Sequence, residues 1–127
     1  MTKKTLKLIP LLLAAILLLV GCGNKTYESV YEEYCAKLEK AGPKILAEFN
    51  EEASALNGKV TELAELSNKK IEELAEISTK GIEEMAEIQL KNNDYDEYES
   101  WSKKLYTVYE KEAKKITDAY MKKASGK

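Results

Sequence analysis

The sequence predicts an all-α protein, an antiparallel three-helix bundle preceded by a cleaved signal helix. Three observations lead there. After position 26 apolar residues recur at steps of three and four, with no run of strict alternation. Turn chemistry falls in only two places, Asn57-Gly58 and Asn92-Asn93-Asp94. These breaks leave three segments of similar length, about 27–56, 59–91 and 95–124, which short links can fold back on one another.

The first segment carries Tyr27, Tyr31, Tyr34, Leu38, Ala41, Ile45, Phe49, Ala53 and Leu56 on one stripe. Gly42-Pro43 interrupts it, since proline supplies no N–H to the helical ladder. The expected outcome is one kinked helix. The competing arrangement ends a short helix near Ala41 and runs a long one from 43 to 91.

The second segment repeats with period 11: VTELAELSNKK (60–70), IEELAEISTKG (71–81), IEEMAEIQLKN (82–92). Eleven residues in three turns suit a straight helix or a slightly right-handed coiled coil. Val60, Ile71 and Ile82 recur in register, as do Leu63, Leu74 and Met85, Ala64, Ala75 and Ala86, and Leu66, Ile77 and Ile88. Glu65–Lys69, Glu76–Lys80 and Glu87–Lys91 stand in the favourable i, i+4 order. Gly81 reads as a weak point in the helix. Gly58 suits a left-handed residue that ends the first helix. Asp94 is expected to cap the third, with Glu97 closing a capping box.

The third segment carries Tyr95, Tyr98, Trp101, Leu105, Val108, Tyr109, Ala113, Ile116 and Tyr120 at the same steps. Residues 125–127 form a frayed tail.

All 20 basic residues are lysine, and the chain has no His and no Arg. That removes imidazole bases, His-containing triads and His metal ligands, together with two-pronged guanidinium recognition of anions. A net charge of −2 argues against a nucleic-acid partner. Glu72, Glu73, Glu76, Glu83, Glu84 and Glu87 lie opposite the apolar stripe and read as a solvated face rather than a metal site. Asn92, Asp94 and Asp96 faintly suggest a calcium loop, but its glycine is missing and Lys103 stands where its glutamate belongs. No glycine-rich phosphate loop and no paired nucleophile and base are present. The expectation is a non-enzymatic protein with no catalytic residue, no metal and no cofactor.

The N-terminus is an address. Lys3, Lys4 and Lys7 precede an uncharged apolar run at 8–20, thirteen residues long. That is a secretory h-region, short of the roughly 20 residues that span a bilayer. Leu19-Val20-Gly21-Cys22 then resembles the lipobox of bacterial lipoprotein precursors. The resemblance covers residues 1–22 alone. It implies that residues 1–21 are a signal peptide cut between Gly21 and Cys22. It also implies that Cys22 carries a diacylglycerol with palmitate-class chains, and that the chain sits at the extracytoplasmic face of the cell membrane. Residues 22–26 would be a short tether and 27–124 the bundle domain. Losing three lysines and no acid takes the net charge from −2 to −5. Cys35 would then be the one free thiol, on an apolar face, and reads as a small buried hydrophobe.

An up-down-up course brings Tyr27, Tyr31 and Tyr34 towards Tyr95, Tyr98 and Trp101, near the tether. The plain reading is an aromatic core layer with hydroxyls reaching solvent. The alternatives are a collar at lipid headgroups or a stacking surface for cell-wall sugars. The functional expectation is a lipid-anchored structural or interaction module that contacts another protein or itself. The alternative is a small ligand- or wall-binding lipoprotein that uses these six aromatic residues.

Overall fold

The structure is a computed structural model that describes residues 25–126. The expected signal peptide 1–21, the expected cleavage pair Gly21 and Cys22, and most of the expected 22–26 tether lie outside the described residues. Three helices make up the rest: α1 (Tyr27–Ser54), α2 (Val60–Asn92) and α3 (Tyr95–Ala124). Each packs against both others, and no strand occurs among the described residues.

α1 begins with a capping box that the sequence pattern does not advertise. Thr26 Oγ1 accepts from the Ser29 amide at 3.1 Å, and Ser29 Oγ accepts from the Thr26 amide at 3.0 Å. Two first-turn donors that would otherwise lack partners are thereby satisfied. The helix runs unbroken through Pro43, so the arrangement with a short helix ending near Ala41 does not occur. Pro43 is exposed, and its missing N–H falls on the solvent side.

α1 ends at Ser54, two residues short of the expected boundary. Asn57 and Gly58 both take left-handed φ, 51° and 76°, and turn the chain into α2. α2 ends on Asn93, also left-handed at φ 57°, whose amide returns to the Gln89 carbonyl at 2.7 Å. The expected cap at Asp94 is not made, because its side chain bonds no first-turn amide of α3.

The core is formed by Val30, Leu38, Ile45 and Phe49 of α1, Leu63, Leu74 and Met85 of α2, and Leu105 and Ile116 of α3, with tyrosines at one end. Among the described residues, those packed in or against it run from Tyr27 to Tyr120.

The deepest line of α2 is Leu63, Ser67, Lys70, Leu74, Ser78, Gly81, Met85 and Ile88. This differs from the stripe read from apolar identity. α2 faces two helices, so its centre line lies in the crease between them, where small residues let the neighbours approach. Leu66, Ile71, Ile77 and Ile82 sit half-buried on the flanks. Val60, first of the repeat, is 51% exposed. A Cβ built on Gly81 would lie 2.6 Å from Leu105 Cδ2 and 2.8 Å from Tyr34 Cγ. The glycine that reads as a weak point is where residues of all three helices meet. Ser78 is buried in the same line, and its hydroxyl has no hydrogen-bond partner among the described residues.

Candidate functional site

The six aromatic residues singled out by the sequence come together, but unequally. Tyr27 and Tyr34 are buried, Tyr31, Tyr98 and Trp101 are half-buried, and Tyr95 is 59% exposed. The Tyr31 and Trp101 rings lie 5.5 Å apart at a 55° tilt, joining α1 to α3. Tyr95 and Tyr98 pair at 6.0 Å within α3. Lys104 Nζ stands 4.2 Å over the Trp101 ring, and Lys37 Nζ the same distance over Tyr34.

Three polar groups of this cluster, on Tyr27, Tyr34 and Trp101, are held by carboxylates. Tyr27 donates its hydroxyl to Asp94 Oδ1 at 2.7 Å. That bond draws the Asp94 carboxylate away from the first turn of α3. Trp101 Nε1–H donates to Glu97 at 3.2 Å, so the expected capping-box partner is also occupied elsewhere. Tyr34 donates to Glu84, whose other oxygen accepts from Lys25 Nζ at 2.8 Å.

Burial and these bonds set the titrations. Desolvation raises the Tyr27 phenol to about 12, and the bond to Asp94 pushes the same way. Tyr34 is raised further, first by burial and then by its bond to Glu84. Burial alone would lift the Glu84 carboxyl. The bonds from Lys25 and Tyr34 outweigh it and hold Glu84 below the ordinary carboxylate value. Lys25 is raised, chiefly by its bond to Glu84. Glu84 thus leaves the solvated acidic face assigned to it. It stands seven residues from half-buried Ile77 and so on the same side of α2, which is the signal the acidic pattern hid.

Two further charged groups sit where apolar patterning gave no hint. Lys70 is 6% exposed, and its ammonium is held by Glu52 at 2.9 Å, Glu48 at 3.4 Å and Glu73 at 3.5 Å. Burial works to lower its pKa, and the three carboxylates outweigh that and raise it. Glu112 is 4% exposed and lies over Gly42, where a Cβ would meet its carboxylate oxygen. Its ion-pair partner is Lys115 at 3.2 Å. The Glu65–Lys69, Glu76–Lys80 and Glu87–Lys91 pairs are not closed among the described residues.

Cys35 is half-buried, with no sulfur partner among the described residues. Burial and the nearby Glu39 raise its thiol pKa, which disfavours the thiolate. Among the described residues no three His, Cys, Asp or Glu side chains stand close enough to hold a metal ion. No described helix is long and apolar enough to cross a membrane. The arrangement clamps three helix ends together.

No protein-family model matches the sequence, and comparison with curated proteins and with solved structures gives no match.

Proposed function

We propose that this chain is a bacterial lipoprotein, anchored through diacylglycerol on Cys22 at the extracytoplasmic face of the cell membrane. In this reading it is a non-enzymatic structural or protein-interaction module. Its helices run up, down and up. Supporting that course, Tyr34 early in α1 meets Glu84 late in α2, while Glu48 late in α1 meets Lys70 early in α2. Tyr31 with Trp101 and Gly42 with Glu112 keep a constant offset, as two parallel helices would.

The observation that carries the reading is how soon the fold starts after the lipobox. Lys25, three residues past Cys22, is already clamped to Glu84, and α1 is capped from Thr26. Five residues reach at most about 18 Å. A bundle so tethered stands close to the bilayer with its long faces free for contacts. Two acyl chains, at about 0.8 kcal/mol per buried CH2, suffice to hold it there without a spanning helix.

Growth of a bacterium producing the full chain with a clickable palmitate analogue tests the anchor. The wild-type chain takes the label and remains with membranes, and Cys22→Ala takes none. An unlabelled wild-type chain in the aqueous fraction would overturn the lipoprotein reading. Photo-crosslinking from the outer faces of α2 and α3 in intact membranes then identifies the protein contacted, or a second copy.

A ligand site at the aromatic end is the second reading, favoured by the exposure of Tyr95. The Trp101 ring is covered by Tyr31 and Lys104, and its N–H is engaged, which weighs against sugar stacking there. Titration with cell-wall glycan fragments while following Trp101 fluorescence decides between the two.

A further inference from the structure

An open groove of about 590 Å3 runs between α1 and α3, away from the aromatic cluster. Its apolar floor is Leu46 and Ala119, and Asn50, Lys115, Lys122 and Lys123 line it. Among the described residues Asp118 is the one carboxylate on its rim, and Lys114 already holds it at 2.9 Å. Glu112 is likewise matched by Lys115. Lys122 and Lys123 make no ion pair among the described residues. A chain with net negative charge therefore gathers uncompensated positive charge on one concave surface.

We infer that this groove binds a soluble polyanion carrying successive phosphate groups. The spacing sets the valence. Lys115 and Lys122 are seven residues apart on one helix, about 10 Å along its axis. One phosphate centred on Lys122 and Lys123 leaves Lys115 to Glu112, whereas a linear chain of phosphates spans all three. The residue type sets the anion. Lysine is a compact point charge that suits phosphate oxygens from any direction, and the chain has no arginine for two-pronged grip on carboxylate. The Asn50 amide adds a donor on the opposite wall. Position disfavours a lipid headgroup in the home membrane. Asn50 lies 23 residues beyond Tyr27 on the same helix, about 35 Å from the tethered end. That last step rests on the proposed anchor, but the groove and its lysines do not.

The test uses residues 22–127, which carry all three described helices. Inorganic polyphosphate is titrated at low ionic strength and followed by amide chemical shifts. Saturable binding centred on Asn50, Ala119 and Lys122 is the expected result, with affinity falling steeply as salt rises. The double variant Lys122→Gln, Lys123→Gln weakens binding about thirtyfold, the factor for two lysines facing an anionic surface. Asp118→Asn, which removes the rim carboxylate, tightens it. Lys80→Gln with Lys91→Gln, an equal charge change on α2, leaves it unchanged.

Absence of saturable binding at low salt would overturn the inference. So would equal weakening by the two double variants, or monomeric phosphate binding as tightly as the polymer. Capture by phosphatidylglycerol vesicles through the same lysines, with polyphosphate unable to compete, would make lipid the occupant and also overturn it. None of these outcomes depends on palmitate labelling, which reads the anchor separately.

Discussion

A methyl group at Gly81 would press on Leu105 and on the root of the Tyr34 ring, neither of which can swing clear of a packed core. Helix propensity favours alanine there by about 1 kcal/mol, while overpacking costs about 1–3 kcal/mol. Gly81→Ala should therefore lower stability in urea unfolding despite being the better helix former. Ser78, one turn before, behaves in the opposite sense. Its buried hydroxyl has no partner among the described residues, so Ser78→Ala removes a desolvated polar group without opening a cavity and should be neutral or stabilising by up to about 1 kcal/mol. The same low-dielectric packing governs Tyr27. Its phenol is raised from 10 to about 12 in the folded chain, so the folded state holds the proton more tightly. Its contribution to stability is complete below pH 10 and is lost as pH rises from 10 towards 12. Thermal melts across that window should show the loss, and Tyr27→Phe should lessen it, with Tyr34, raised in the same direction, carrying what remains.

At the scale of elements, Asp94 shows how a local rule yields to a tertiary bond. Its side chain stands at the N-cap of α3 and yet bonds Tyr27 of α1. A double-mutant cycle between Tyr27→Phe and Asp94→Ala should return a coupling of about 1.5–3 kcal/mol, the range for a hydrogen bond to a charged group. Zero coupling would show Asp94 serving its own helix. The existence and number of the helices were legible because Asn57-Gly58 and Asn92-Asn93-Asp94 mark the two breaks and the apolar period persists between them. The gathering of the six aromatics was legible too, since their positions near two segment starts needed only the chain course. What they do was not. Period and polarity show where a tyrosine lies and say nothing of which carboxylate receives its hydroxyl. Lys70 and Glu112 were hidden for a related reason. Their spacing places them on the inward face, but their identity assigns them to solvent, and only a partner from another helix reverses that. For Lys70 the partners are Glu48 and Glu52, and for Glu112 the opening is the missing side chain at Gly42.

At the scale of the whole molecule, Gly81, Tyr34 and Leu105 form one junction drawn from all three helices. No pair of helices retains a complete core once the third departs. Residues 22–127 should accordingly unfold in one transition, with helicity and Trp101 fluorescence lost together. Separate midpoints for the two probes would show that one helix detaches first. The Lys70 position adds a different kind of constraint. Three near-identical blocks would let α2 slide by a whole block, about 16 Å, and present almost the same apolar pattern to its neighbours. The last residue of each block prevents it, being Lys70, Gly81 and Asn92 in turn. One slide drives a lysine into the junction where even a methyl group collides. The other sets a glycine before Glu48 and Glu52 and strands their charges. A periodic helix with several equivalent seats is thus keyed to one of them by the two residues that break its period.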